Sequence, residues 1–223
     1  MNITNINDTL SFSVIVEAEK ASSNFYGTGF ILGKKEYGRM KYFLTTSFTL
    51  IESAKIIKFA FVNVLGKLIQ FKLNNFHKSC KIESSHDIAM FDIGEEAFNQ
   101  IGKLSIFRYI NSRSIISYSE GEKILETLFI VSNPPISSPF NNDIKSFPIA
   151  IDCKNATTID SSVERGFFVL NFKRYNWLLG SPVFGIFNKK IKLAGMINSL
   201  GKMPDGFCSA IEGGEIKLLL AKA

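Results

Sequence analysis

Cysteine is scarce in this sequence: 223 residues contain three, Cys80, Cys153 and Cys208, without C-x-x-C spacing. This number and spacing argue against a zinc site and a disulfide framework, and they fit a reducing compartment. No apolar run approaches the roughly 20 residues needed to span a bilayer. The first residues carry neither a basic region nor a continuous apolar region, so we predict no signal peptide. The sequence therefore predicts a cytoplasmic location, no membrane partner, and neither a metal nor a cofactor.

Arginine is also scarce, since only five of the 26 basic residues are arginine, in a chain whose net charge is +6. Arginine makes most of the bidentate contacts that recognise bases and phosphates. The lysines are scattered along the chain, and no nucleic-acid-binding motif is present. We do not expect a nucleic-acid partner, and weak binding of a polyanion through lysines is the third of three functional hypotheses.

The chain is 46% apolar and contains 21 phenylalanines, which is enough to build a sizeable core at this length. Short strand-like segments, among them 68–73 and 182–187, recur about every ten residues between turn signals. Segment 10–16 alternates apolar and polar residues, as a half-buried strand does. Helical spacing appears only in 215–221, where Ile216, Leu219 and Leu220 share one face. The pattern predicts an all-β sandwich or barrel that ends in a short helix.

Two halves are expected from the distribution of strands and loop residues. The predicted divisions are an N-terminal barrel at 8–101, a connector at 102–122, a C-terminal barrel at 123–212 and a C-terminal helix at 213–223. The connector contains several serines and separates two strand-rich regions.

Several segments, in this order, resemble motifs of the chymotrypsin/trypsin-like serine peptidases, especially their bacterial branch. They read GTGFIL at 27–32, FLTTSF at 43–48, SHDIAMF at 85–91, WLLGSPVF at 177–184 and GFCSAI at 206–211. Together they span nearly the whole chain. The resemblance implies two packed six-stranded antiparallel β-barrels with a short C-terminal helix.

The same resemblance implies which positions would carry the catalytic triad. A hydroxyl attacks the carbonyl, an imidazole takes its proton, and a carboxylate orients the imidazole. The position of the imidazole is occupied by Phe48, the carboxylate by Asp87, and the nucleophile by Leu179. A phenyl ring accepts no proton and a leucine side chain has no heteroatom. The first hypothesis is therefore a catalytically inactive homologue, a pseudopeptidase that binds a protein or peptide.

The family's oxyanion loop corresponds to Trp177, Leu178 and Leu179. Because the family usually opens this loop with glycine, Trp177 is expected to tolerate the required backbone dihedrals poorly. The family's specificity pocket is expected near Lys173, Asn198 and Ser199, where a lysine would favour an acidic group.

Ser181 is the candidate for a substitute nucleophile, and it defines the second hypothesis, a serine hydrolase with a relocated nucleophile. The alternative is a plain turn residue before Pro182. His86 precedes Asp87, but neighbouring residues of an extended strand point to opposite faces, so His86 is not expected to replace the missing base. The sequence leaves open whether apolar side chains fill the former cleft or line a peptide-binding groove. It also leaves the oligomeric state and the identity of the partner open.

Overall fold

Strands dominate the part of the chain that the computed structural model describes. That part comprises residues 5–21, 23–62, 68–73, 76, 80–94, 108–116, 128–134, 148–153, 166–173, 175–199 and 207–223. Within these ranges three short α-helices accompany the strands: α1 (Ile6–Leu10), α2 (Phe48–Ile51) and α3 (Gly213–Lys222).

The first sheet, built from the N-terminal half, has the order β5-β4-β1-β2-β3-β7-β6, and β8 pairs in parallel with β2. Its strands are β1 (Ser13–Glu19), β2 (Asn24–Glu36), β3 (Arg39–Ser47), β4 (Ile56–Val62), β5 (Leu68–Leu73), β6 (Cys80–Glu83), β7 (Ile88–Asp92) and β8 (Ile110–Asn111).

The second sheet has the order β10-β9-β12-β13-β14-β11, and all of its pairings are antiparallel. Its strands are β9 (Leu128–Ser132), β10 (Ile149–Cys153), β11 (Phe167–Leu170), β12 (Pro182–Phe187), β13 (Lys190–Ile197) and β14 (Cys208–Glu212). In both sheets the two end strands, β5 with β6 and β10 with β11, are consecutive in the chain.

The predicted all-β class with a C-terminal helix is confirmed, with two corrections of detail. The first sheet has eight strands rather than six, partly because 110–111, which the sequence assigned to the connector, pairs with β2. Among the described strands neither sheet closes into a barrel. The domain boundaries themselves stay a prediction.

The N-terminal segment differs from its prediction, because residues 6–10 form helix α1 and the first strand begins only at Ser13. Asn5 caps this helix by accepting the N–H of Asn7 at 2.9 Å, and Thr9 donates back to the carbonyl of Ile6. Such local side-chain bonds compete with the extended conformation. The alternation read in 10–16 therefore did not identify where the strand starts.

A shared core lies between the two sheets and joins them. Phe30 and Phe43 from the first sheet pack in one cluster with Phe129 and Phe184 from the second. Helix α3 joins the same cluster through Ile216, Leu219 and Leu220, the face that the sequence predicted. No helix in the described part of the chain has the length and apolar character needed to cross a membrane.

The residue at the start of α3, Glu212, gives this region a pH dependence. Burial, and next the charge of Glu215, raises the pKa of Glu212 from 4.5 to about 7. The folded state therefore holds this proton more tightly than the unfolded state, so stability is lost as the pH rises from about 4.5 to about 7. We expect Glu212→Gln to raise the free energy of unfolding by about 1 kcal/mol near pH 8 and to leave it unchanged near pH 4, since the group is only half-buried.

Urea unfolding at the two pH values measures this effect, with Glu52→Gln as the control at an exposed glutamate. If Glu212→Gln raised the free energy of unfolding equally at both pH values, the effect could not come from ionisation of Glu212.

Candidate functional site

The three triad positions come together where the two sheets meet. Phe48 begins α2 directly after β3, and its N–H donates to the carbonyl oxygen of Asp87 at 3.0 Å. A Cβ placed on Gly180 would lie 3.0 Å from the nitrogen of Ser47. Gly180 directly follows Leu179 in the chain, and Ser47 directly precedes Phe48. The sequence motifs are thus neighbours in space, although Phe48 and Leu179 are 131 positions apart.

Asp87 is buried, with 1% of its surface exposed, and its carboxylate accepts three hydrogen bonds. Ser47 Oγ donates to Oδ2 at 2.8 Å, the Thr49 N–H to Oδ1 at 2.7 Å, and the Ser199 N–H to Oδ2 at 2.7 Å. Two donors come from the first half of the chain and one from the second. The carboxylate at the triad position that the sequence predicted therefore joins the two halves through hydroxyl and backbone donors.

The side chains at the other two triad positions are hydrocarbon and pack against neighbours. Phe48 is half-buried against the core of the first sheet, and Leu179 is buried. The carbonyl of Leu179 accepts the N–H of Thr28 at 2.9 Å, which ties this loop to β2. Neither side chain offers a proton acceptor or a nucleophile at this place.

The oxyanion-loop positions form a 3-10 turn over Asn176–Leu178. The N–H of Leu178 donates to the carbonyl of Tyr175 at 3.0 Å, and that of Leu179 to the carbonyl of Asn176 at 3.2 Å. The positive φ of the loop, 80°, falls on Gly180 and not on Trp177. The backbone strain expected at Trp177 is therefore absent, but the Leu179 N–H is used inside the turn and is not directed at a substrate oxygen.

Ser181 is fully buried and belongs to a chain of hydroxyl groups. Its Oγ donates to Ser132 Oγ at 2.8 Å, and Ser132 Oγ lies 2.9 Å from Thr28 Oγ1. The chain ends on the carbonyl of Trp177, which accepts from Thr28 Oγ1 at 3.3 Å. Thr28 and Ser132 were not singled out in the sequence, because no local pattern links residues 104 positions apart.

The sequence predicted an extended strand at His86, but His86 lies in a turn. Ser84–His86 is a 3-10 turn, and Asp87 follows it in the left-handed region with a φ of 57°. The His86 ring stacks on Phe167 at 5.4 Å, and its Nε2 lies 3.9 Å from the Glu215 carboxylate. Its described partners are thus distinct from the donors to Asp87. The second histidine, His77, lies outside the described residues.

The three residues expected at a specificity pocket occupy different environments. Lys173 is exposed, whereas Asn198 is buried and accepts from Ser209 Oγ at 2.5 Å through its Oδ1. Ser199 is half-buried above Asp87, and its Oγ lies 2.6 Å from Thr49 Oγ1. Ser199 therefore belongs to the Asp87 site.

The described residues place no group of three metal-ligating side chains together. Cys80 is a free thiol. Burial raises the pKa of Cys80 to about 12, so its thiol carries no nucleophilic thiolate at neutral pH.

Comparison with known proteins finds similarity in solved structures. No family model matches the chain, and no curated protein matches it. The MamO protease domain from Magnetospirillum magneticum superposes with a TM-score of 0.60 at 10% identity, over 98% of this chain and 99% of that one. The Rv3671c protease from M. tuberculosis, in its active form, superposes with a TM-score of 0.63 at 12% identity, over 97% of this chain and 82% of that one.

A catalytically inactive tobacco etch virus protease complexed with substrate gives a TM-score of 0.59 at 11% identity, over 93% of this chain and 80% of that one. These likenesses show that the chain has the trypsin-like serine protease fold, as the motifs predicted.

Proposed function

We propose that this protein is a catalytically inactive homologue of the trypsin-like serine peptidases that binds a protein or peptide as a scaffolding or regulatory module. The proposal is supported above all by the surroundings of Asp87. Three donors, from Ser47, Thr49 and Ser199, occupy its carboxylate, and the side chain at position 48 is a phenyl ring. Without a base and a nucleophile the proton transfer and acyl bond of this chemistry cannot form.

The backbone of the former oxyanion loop adds a second argument. Even with a nucleophile at position 179, the N–H of Leu179 is donated to the carbonyl of Asn176. A single oxyanion donor is worth about 10²–10³ in kcat. The loss of activity therefore has two independent physical sources.

Binding without cleavage is compatible with the fold. The inactive tobacco etch virus protease of the same fold is complexed with substrate, and the present chain keeps two packed sheets with the former cleft residues between them. We extend this to a bound peptide in the present protein as part of the proposal.

Labelling with a fluorophosphonate probe and digestion of casein test the proposal, with trypsin as the positive control. We expect neither labelling nor cleavage. Labelling that disappears in Ser181→Ala would instead establish a relocated nucleophile. Hydrolysis that disappears in Asp87→Asn, while Trp177 fluorescence shows that this variant is folded, would show a working triad carboxylate.

The double variant Phe48→His with Leu179→Ser belongs in the same assay. We expect little or no recovery of hydrolysis, because the Leu179 N–H stays bonded within the turn. Recovery to within about tenfold of trypsin would show that the loop forms an oxyanion hole, and that only two side chains separate this protein from an active peptidase.

A further inference from the structure

Three aromatic side chains adjoin one another on the segment that leads into the 176–178 turn. The rings of Tyr175 and Trp177 stack with centroids 5.8 Å apart and planes 16° apart, and Phe172 meets Tyr175 edge-on at 6.3 Å. Phe172 and Trp177 pack against the core of the second sheet, whereas Tyr175 is 44% exposed. We refer to Phe172, Tyr175 and Trp177 as the aromatic platform.

The backbone of the aromatic platform contacts hydroxyl groups of both sheets. The carbonyl of Trp177 accepts from Thr28 Oγ1 at 3.3 Å, and Ser132 Oγ lies 3.4 Å from the same carbonyl oxygen. Because Phe172 and Trp177 pack against the core and Tyr175 stacks on Trp177, a ligand would have little side-chain freedom to remove when it binds to these rings. Rigid tyrosine and tryptophan side chains are the ones that most often dominate binding energy at protein interfaces.

The positive excess of the sequence lies in the stretch of chain that contains the aromatic platform. Residues 165–204 contain seven basic residues and no acidic one, while the rest of the chain has 19 basic and 20 acidic residues. This single segment thus accounts for the whole positive excess of the protein. Lys173, between Phe172 and Tyr175 in the chain, is exposed, and so are Lys189 and Lys190 at the turn between β12 and β13.

We infer that the partner of this protein is an acidic segment of another protein, which stacks an apolar side chain on the aromatic platform and directs carboxylates to Lys173. This inference rests on the proposed function and specifies the chemistry of the bound peptide. A peptide is favoured over a nucleic acid, because a nucleic-acid strand carries a phosphate at every nucleotide and is bound through rows of cations. Among the exposed lysines that the structure describes in 166–199, only Lys173 belongs to the segment that carries the rings, and Lys189 and Lys190 lie at the turn between β12 and β13.

Trp177 is the single tryptophan of the chain, so its fluorescence reports directly on the platform. The intact protein is titrated at low salt with a short synthetic peptide rich in glutamate and phenylalanine. A second peptide replaces each glutamate with lysine, and an oligothymidine of similar length tests the nucleic-acid alternative. We expect a saturable change in emission with the acidic peptide alone, and an affinity that decreases as salt is added.

Two variants with matched controls assign the binding to the platform. Tyr175→Ala is expected to weaken binding about tenfold, and Lys173→Glu about fivefold. Tyr37→Ala removes a tyrosine that is 98% exposed in the turn between β2 and β3, and Lys35→Glu reverses an exposed lysine on β2. Both controls should bind as the unmodified protein does.

Absence of a saturable change with the acidic peptide overturns the inference, as does equal binding of the lysine peptide. Tighter binding of the oligothymidine would identify a nucleic-acid surface instead, and equal losses in Tyr175→Ala and Tyr37→Ala would exclude the platform. None of these results changes the outcome of probe labelling, so a failure here is distinguishable from a failure of the proposed function.

Discussion

Asp87→Ala is expected to lower the free energy of unfolding by about 3–5 kcal/mol. The substitution removes a buried acceptor and leaves Ser47 Oγ and the N–H groups of Thr49 and Ser199 without a partner. It also leaves alanine in the left-handed region, where Asp87 has a φ of 57° and where aspartate is better tolerated. Urea unfolding monitored by Trp177 fluorescence measures the loss.

Asp87→Asn and Asp152→Ala complete this experiment. Asparagine keeps the shape of aspartate and tolerates the same backbone conformation, but its amide nitrogen would face an N–H or O–H group that donates to Asp87. We therefore expect the free energy of unfolding to fall by an intermediate amount, about 1–3 kcal/mol. Asp152 is exposed on β10, and its replacement should cost less than about 0.5 kcal/mol. A loss in Asp87→Ala as small as that of Asp152→Ala would show that the carboxylate does not join the two halves.

Gly180→Ala is expected to destabilise the protein by at least about 3 kcal/mol. A Cβ at this position would lie 2.1 Å from the carbonyl oxygen of Thr28 and 2.4 Å from Thr46 Oγ1. These atoms belong to the first sheet and are fixed by hydrogen bonds, since Thr46 Oγ1 donates to that same carbonyl at 2.8 Å. The new methyl group therefore pushes the 177–181 loop away from the first sheet.

Gly38→Ala separates this steric effect from backbone strain. Gly38 has nearly the same φ, 81° against 80°, but a Cβ there would meet no atom within 4 Å. We expect it to cost about 1 kcal/mol, the strain term alone. Equal losses in the two variants, measured by urea unfolding, would mean that close packing at Gly180 contributes nothing.

Several strands could be predicted from the chain because their signals are local. Segments 68–73 and 182–187 match β5 and β12, since apolar residues between turn signals are enough to define short strands. Helix α1 and the turn before Asp87 were not predicted as such. Side-chain and backbone bonds within a few residues decide these conformations, and their residue types also occur in strands.

The hydroxyl chain of Ser181, Ser132 and Thr28 could not be predicted at all. Its members come from β2, the end of β9 and the residue before β12, and each is an ordinary residue in its own segment. Only the packing of the second sheet against the first gives them a common environment. The same holds for Ser199, whose N–H reaches Asp87 from 112 positions away.

The amino-acid sequence alone determines that positions 48 and 179 carry hydrocarbon side chains, because the chemistry of a side chain does not depend on the fold. It also determines the β-rich class and the apolar face of the last helix, because both follow from residue periodicity. The tertiary structure decides that Asp87 accepts from both halves of the chain and that the Leu179 N–H is donated within its own turn. Those features depend on atoms from distant segments lying within about 3 Å of each other, and only the completed packing of the two sheets sets such distances.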